Sequence, residues 1–103
     1  MKRVRVLCCC GAGMGTCMLV RNKVEKVLKK IGLTDYKIEN QSVQQALFMV
    51  KQFDMVVCNH NLANKFDKAK EAGLVVVSLD NVTDENEIET KIIASGILEK
   101  INF

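Results

Sequence analysis

Apolar residues follow two alternating patterns along this chain. Short runs rich in β-branched residues occupy positions 4–9, 54–58 and 74–79, and a more polar run lies at 36–39. Continuous apolar runs of this length are typical of strands buried on both faces of a parallel sheet. Short runs bounded by turn or helical patterns also have the usual length of strands. The first pattern therefore predicts four strands.

After the first run, apolar residues recur at helical spacing. The predicted helix begins at Thr16, and charged residues between Arg21 and Lys30 form the face opposite its apolar side. Lysines in its last turn and Gly32 directly after them mark its end. The predicted apolar side consists of Val20, Val24, Val27, Leu28 and Ile31.

A second helix is predicted directly after the second strand. Ser42 and Gln45 have the spacing of a capping box, in which the first side chain accepts a hydrogen bond from the backbone of the second. The helix that follows carries Ala46, Leu47 and Val50 as its apolar residues. Residues 59–73 are expected to form a loop and one short helix.

The last helix is predicted from its capping residues. Thr83, Asp84 and Glu85 supply caps and negative charge, both of which stabilise a helix start. Its predicted inward-facing residues are Ile88, Ile92, Ile93, Ile97 and Ile101.

Strands and helices alternate, so consecutive strands are expected to connect through right-handed helical crossovers. The predicted fold class is α/β: a three-layer open sandwich with a four-stranded parallel sheet in the order 2-1-3-4 and helices on both faces. In open parallel sheets, ligands bind beyond the carboxyl ends of the strands. The loop after the first strand is therefore the expected ligand site.

Composition limits the class of protein. The 103 residues are 49% hydrophobic and 26% charged, as in a soluble globular protein, and we expect a single domain over residues 1–103. No apolar run is long enough to cross a bilayer, so direct membrane insertion is not expected.

The start, MKRVRVLCCC, has too short an apolar part for a signal peptide and is predicted to be the first strand. A net charge of +3 and only 5% aromatic residues argue against nucleic acid as a partner.

Cysteine usage indicates a reducing compartment. The chain has five cysteines, an odd number, and three of them are contiguous, so we expect free thiols and a cytoplasmic protein. Cys8, Cys9 and Cys58 end strands, where small buried cysteines are common, and are predicted to be packing residues. These spacings do not resemble a zinc site, and no metal is expected. His60 is predicted to be a surface residue, with a donor to phosphate as the alternative.

The stretch CCCGAGMGTC, residues 8–17, follows the first strand and carries the candidate chemistry. Gly11, Gly13 and Gly15 allow backbone amides to approach a ligand closely, and the positive end of the next helix points to the same region. A simple tight turn is the alternative interpretation. The spacing GxGxG is not the dinucleotide GxGxxG, and the Gly-Lys-Ser/Thr ending of an ATP-binding loop is missing. The loop therefore predicts a site for an anion other than a nucleotide.

Cys10 is the candidate nucleophile of this loop. A cysteine beside a helix N-terminus is held as a thiolate, and the same amides can stabilise the oxygens of a transferred phosphoryl group. Thr16 adds a hydroxyl donor. Protein tyrosine phosphatases also begin their phosphate loop with cysteine, but they close it with arginine where this chain has Thr16. Without that guanidinium clamp, relay of a phosphoryl group between partners is favoured over hydrolysis.

The segment VRVLCCCGAGMGTCMLV resembles the B component (IIB) of the enzyme II complexes in the bacterial sugar phosphotransferase system. The resemblance implies that Cys10 takes a phosphoryl group from a phosphohistidine of the A component (IIA). It passes that group to a sugar bound by the membrane permease, the C component (IIC), and no cofactor is expected. The form CGxGxGT resembles the galactitol and ascorbate branch, and AGM-T followed by MLV resembles the lactose and cellobiose branch. The implied phosphate cradle consists of Gly11, Ala12, Gly13, Met14, Gly15, Thr16 and Cys17.

Two other classes of function stay open at the level of sequence. One is a low-molecular-weight phosphatase or an arsenate-reductase-like enzyme. The other is a thiol redox or metal-binding module, in which Cys10 and Cys17 form a regulatory disulfide. Cys17 also stands where the family is expected to have serine.

Overall fold

The computed structural model describes residues 4–9, 14–33, 35–81 and 84–97, with the backbone alone described at 14–17 and 43. Four parallel strands form one sheet in the order β2-β1-β3-β4. This confirms the predicted order 2-1-3-4. The strands are β1 Val4–Cys9, β2 Tyr36–Gln41, β3 Met55–Asn59 and β4 Val75–Leu79.

Helices connect the strands and lie on both faces of the sheet, as predicted. Residues 59–73, expected to hold one short helix, contain a 3-10 segment followed by α3. The helices are α1 Met14–Lys30, α2 Val43–Met49, α3 Asp67–Glu71 and α4 Glu85–Ala94, with 3-10 segments at Val50–Gln52 and His60–Phe66.

Strand β1 divides the buried side chains into two clusters because successive residues point to opposite faces. Val4, Val6 and Cys8 pack with residues of α1 and α4. Leu7 and Cys9 pack on the other face with α2 and the His60–Phe66 segment. Both faces of β1 are therefore covered, which is the arrangement that its continuous apolar run predicted.

Helix α1 begins at Met14, two residues before the predicted start at Thr16. Sequence reasoning placed Gly11, Gly13 and Gly15 in the loop after the first strand. In the structure Gly15 lies in the first turn of the helix. The backbone amides of a first turn make no hydrogen bonds within the helix. The end is as predicted: Gly32 has a φ of +95°, the left-handed conformation that commonly follows a helix.

One face of α1 differs from its prediction. Arg21 and Glu25 were assigned to the solvent face, but both are half-buried. Tyr36 of β2 donates a hydrogen bond from its Oη to Glu25 Oε2 over 2.9 Å. The side of α1 that faces β2 therefore carries charged residues.

Helix α2 begins at the predicted cap, since Ser42 Oγ accepts a hydrogen bond from the Gln45 amide at 3.3 Å. Ala46 is buried, but Leu47 is exposed, contrary to the prediction that it faces inward. A helix of seven residues presents only a narrow stripe to the sheet, and Leu47 lies about 100° around the axis from Ala46. Val50 is half-buried in the 3-10 segment that follows.

Helix α4 starts after Asp84, whose carboxylate accepts hydrogen bonds from the amides of Asn86 and Glu87. The predicted inner residues Ile88, Ile92 and Ile97 are buried. Ile93 is an error of the prediction: its side chain is exposed, because it follows Ile92 by one step around the helix. Thr83 and Ile101 lie outside the described residues.

Asp54 joins β1 to β3 at the amino edge of the sheet. Its carboxylate is buried and accepts the backbone N–H of Arg5 at 3.0 Å, while Arg5 Nε lies 3.5 Å from the same oxygen. The Asp54 amide donates in return to the Arg5 carbonyl over 2.9 Å. This pairing fixes the register with which the two central strands enter the sheet.

Glu87 holds the connection between β4 and α4. Its carboxylate accepts the backbone N–H groups of Asp80 at 2.7 Å and Asn81 at 2.8 Å, and Lys91 Nζ lies 2.9 Å away. Lys91 also donates to the carbonyl of Ser78 over 2.7 Å. The hydrogen bond from Lys91 and those from the two amides lower the pKa of Glu87 from 4.5 to about 2.

We predict that Glu87→Gln lowers the free energy of unfolding at neutral pH by about 1 to 2 kcal/mol, because charge-assisted hydrogen bonds become neutral ones. The stabilisation by the ionised carboxylate is complete above pH 4.5 and is lost as the pH falls through about 2. The variant should therefore lose less stability than the parent between these values. Urea unfolding at several pH values measures this, with Glu85→Gln as the control for removing a charge from the same helix turn. An identical acid loss in Glu87→Gln and the parent would contradict the assignment.

Candidate active site

The candidate site lies at the carboxyl edge of the sheet, where β1 ends. Cys9, its last residue, is paired with Gln41 on β2 and Cys58 on β3. Helix α1 begins at this edge and returns across the sheet. Of the predicted site residues, Cys10, Gly11, Ala12 and Gly13 lie outside the described residues.

The other four predicted site residues form the start of α1, since Met14, Gly15, Thr16 and Cys17 have helical backbone. Amides of the first helical turn have no acceptor within the helix. Those of Met14, Gly15 and Thr16 are in this position. The first turn contains no acidic residue, so no carboxylate of that turn offsets the positive end of the helix dipole. This helix start has the properties of an anion-binding element.

Three of the five cysteines are unsuited to nucleophilic chemistry. Cys8, Cys9 and Cys58 are buried free thiols, which confirms their predicted packing role. Burial raises the pKa of Cys8 to about 12, of Cys9 to about 11 and of Cys58 to about 12. At neutral pH they are therefore protonated, and only a thiolate is an effective nucleophile. Cys10 and Cys17 are the two cysteines that this argument leaves as candidates.

Arg21 contributes positive charge near β1. Its guanidinium acts to lower the pKa of Cys8 and so offsets part of the increase that burial causes. It also acts to lower the pKa of Tyr36, which burial raises. Arg21 lies five residues beyond Thr16, the position at which a phosphatase loop has its closing arginine. Arg21 is half-buried, and its charge acts on groups of both β1 and β2.

Sequence reasoning missed two asparagines at the carboxyl edge, one on each strand beside β1. Asn40 ends the inward-facing row of β2, and Asn59 is the last residue of β3. The Oδ1 atom of each is buried and has no hydrogen-bond partner among the described residues. Asn40 Nδ2 donates to the sulfur of Met18 in α1 over 3.2 Å. A polar residue that closes an apolar strand run was the signal available in the sequence at Asn59.

His60 is exposed directly after β3, as the surface interpretation predicted. It lines an open groove of about 450 Å³ between the His60–Phe66 segment, α3 and β4. The groove also contains Asp67, Lys70 and Ser78. Asp67 and Lys70 give this surface charges of both signs, with no excess of positive charge for a phosphoryl group.

Two further properties concern the described part of the chain. Within it, no three histidine, cysteine, aspartate or glutamate side chains are grouped closely enough to hold a metal ion. No helix in residues 14–33, 35–81 or 84–97 has the length and apolar character needed to cross a membrane.

The fold and this edge define a class of protein: a parallel α/β sheet in which a stretch of sequence rich in cysteine and glycine connects a central strand to the start of a helix. Comparison with known proteins gives the family. The model of the lactose/cellobiose-specific IIB subunit of the phosphotransferase system matches residues 5–94. The chain belongs to this family. It is a component of a sugar phosphotransferase system, and in general it works with IIA and IIC partners.

A curated relative and two solved structures agree with this membership. The chain is 38% identical over 88 residues to the ascorbate-specific EIIB component of Mycoplasma pneumoniae, covering 85% of this chain and 90% of that protein. The lactose-specific IIB domain of Streptococcus pneumoniae matches with a TM-score of 0.63 at 13% identity, over 97% of this chain and 98% of that one. The cellobiose-specific IIB protein of Borrelia burgdorferi matches with a TM-score of 0.61 at 21% identity, over 98% and 94%. These two structures share the fold.

We predict that Cys8, Cys9 and Cys58 resist iodoacetamide in the folded protein and react after unfolding in guanidinium. Their raised pKa values reduce the thiolate fraction, so each should react at least about 100-fold more slowly than an exposed thiol near pH 8. Mass spectrometry of the digested protein locates the modified residues. Fast modification of Cys58 in the folded state would contradict the burial described here.

Proposed function

We propose that this chain, residues 1–103, is a single cytoplasmic IIB domain that carries a phosphoryl group on Cys10. The group comes from a phosphohistidine of the IIA component and goes to a sugar bound by the membrane IIC component. Family membership and the start of α1 at the carboxyl end of β1 support this proposal. The amide-rich helix start is the observation that carries it, because it supplies stabilisation for an anion at the point where the chain leaves β1.

The chemistry consists of two in-line displacements. In the first, the Cys10 thiolate attacks phosphorus, the S–P bond forms, the P–N bond breaks, and the histidine nitrogen keeps the electron pair. In the second, a sugar hydroxyl attacks phosphorus and passes its proton to water, the S–P bond breaks with its electron pair on sulfur, and the thiolate is regenerated. The chain's own contribution is to hold the thiolate and the charge that develops on the phosphoryl oxygens.

In the proposed site, the cradle is the backbone from Gly11 to Thr16 together with Cys17. Fixed amide donors stabilise the transition state without reorganising during the reaction, and one such donor is worth about 100-fold or more in rate. Both partners must reach the same sulfur in turn, so each interface is expected to be small and transient.

The two rival classes are not favoured. The family match covers residues 5–94, nearly the whole chain, and it is to a transport phosphotransferase rather than to a phosphatase or redox protein. The loop lacks the closing arginine with which a phosphatase clamps phosphate. A relay that must release its phosphoryl group to a second acceptor has less need of such a clamp.

We predict that Cys10→Ser abolishes phosphorylation of this protein. The assay contains phosphoenolpyruvate, the general phosphotransferase proteins and a matching IIA component, and intact mass spectrometry reports one added phosphoryl group on the parent. Cys8→Ala is the matched control, because it removes a neighbouring thiol that is buried and protonated. Labelling of Cys10→Ser equal to that of the parent would refute the assignment.

We further propose that the cognate system belongs to the ascorbate branch. The support is the 38% identity over most of both chains to the ascorbate-specific relative. The CGxGxGT form of the loop, assigned to the galactitol and ascorbate branch by resemblance, agrees with it. The lactose and cellobiose structures share only the fold at their lower identities.

We predict that an ascorbate-type IIA component phosphorylates this protein at least about tenfold faster than a cellobiose-type IIA component, since partner surfaces carry specificity. Initial labelling rates at equal concentrations of the two phosphorylated donors provide the measurement. Each donor's own IIB partner serves as the control for its activity. A faster reaction with the cellobiose-type donor would assign the chain to the other branch.

A further inference from the structure

Strand β4 is an edge of the sheet, because the order β2-β1-β3-β4 leaves β2 and β4 with one neighbouring strand each. An edge strand presents backbone N–H and C=O groups with which another chain can pair. Charged side chains on such a strand oppose pairing, and β2 carries Lys37 and Glu39. The sequence of β4, VVVSL, is mostly β-branched and contains no charge. Of the two edges, β4 is therefore the one more prone to pair with another chain.

The direction of the backbone groups divides β4 into inner and outer residues. The Val75 amide donates to the carbonyl of Asp54, the residue before β3, over 3.2 Å. Alternate residues of a parallel ladder bond to the same neighbour, so Val77 is bonded to β3 as well. Val76 and Ser78 are the outer residues, and their N–H and C=O groups point away from the sheet.

Outward groups at both ends of β4 already have partners within the chain. Before the strand, the Leu74 amide donates to the Ala69 carbonyl over 3.0 Å. After the strand, the Asp80 amide donates to Glu87 Oε2 over 2.7 Å. An incoming strand is therefore limited to the two outer residues between these points.

Lys91 of α4 occupies one of the acceptors that remain. Its Nζ donates to the Ser78 carbonyl over 2.7 Å, and the Glu87 carboxylate holds the same ammonium at 2.9 Å. The Ser78 N–H and both backbone groups of Val76 have no hydrogen-bond partner in the part of the chain that the structure describes. Both outer residues line the open groove of about 450 Å³ beside β4, which gives an extended chain room to approach. Lys91 is therefore the obstacle to pairing at an edge that is otherwise accessible.

We propose that Lys91, held by Glu87, prevents β4 from pairing with the β4 of a second copy of this chain. Two identical edges pair about a two-fold axis, so both copies would have to release Lys91 from Ser78. A hydrogen bond from a charged donor is about twice as strong as one between neutral groups, and the backbone bond that would replace it is neutral. The released ammonium would also lie against the approaching chain. This inference does not depend on the proposed function of Cys10.

The first test measures self-association by sedimentation velocity over a range of protein concentrations. Lys91→Met removes the ammonium and keeps most of the aliphatic side chain, so it should lower the dissociation constant of the dimer by at least about tenfold relative to the parent. Lys30→Met is the matched control, because it removes the same charge from another ion pair of α4, in which Lys30 Nζ lies 3.0 Å from Glu89 Oε2. It should stay within about twofold of the parent.

The second test locates the contact by amide hydrogen exchange of single residues, measured by NMR. In the parent, the Val76 and Ser78 amides should exchange fast because they are unpaired, and the Val77 amide should exchange slowly because it is bonded to β3. In Lys91→Met at high concentration, exchange at Val76 and Ser78 should slow by at least about tenfold, since the second copy now accepts these amides. In Lys30→Met it should not change.

Association of Lys91→Met together with slowed exchange at Val76 and Ser78 supports the proposal. The proposal is overturned if Lys91→Met stays as monomeric as the parent, if it associates without slowed exchange at these amides, or if Lys30→Met associates to the same extent. Slow exchange of the Val76 amide in the parent would also overturn it, because the edge would then not be accessible. Circular dichroism establishes that each variant is folded. If Lys91→Met is not, Lys91→Leu decides the question by the same two measurements.

Discussion

The burial of β1 on both faces is the constraint on which the rest of the structure depends. Val6 and Cys8 are covered from one side, and Leu7 and Cys9 from the other, so the strand is confined to the interior of the sheet. The chain leaves this interior at the carboxyl edge. The same burial keeps the thiols of Cys8 and Cys9 protonated. The packing that stabilises the fold thus makes Cys8 and Cys9 poor nucleophiles at neutral pH.

The starts of three helices differ in a way that bears on anion binding. At α4, Asp84 accepts two backbone amides, and Glu87 binds the preceding turn, so carboxylates of the chain itself already neutralise that end. At α2, the hydroxyl of Ser42 accepts an amide of the first turn. The first turn of α1 contains no acidic residue, and Gly15 lets its backbone be approached closely. An external anion therefore meets the least competition at α1.

Sequence reasoning succeeded where a single physical signal dominates. The doubly buried strands, the Ser42 and Asp84 caps and the end of α1 at Gly32 each have a local cause, and the strand order follows from general rules of parallel sheets. It failed where the answer depends on what neighbouring elements cover. Arg21 is half-buried because the side of α1 that carries it faces β2. Asn59 escaped notice because a single asparagine in a sequence does not reveal whether its amide will be paired.

A phosphoryl carrier has to meet two requirements that oppose each other. It must stabilise the phosphoryl group enough to take it from histidine, yet not so strongly that transfer to the sugar becomes slow. Backbone amides are neutral donors, and they bind an anion less tightly than the bidentate guanidinium of a phosphatase. In the proposed relay, neutral donors without a bidentate clamp favour release of the phosphoryl group to the second acceptor.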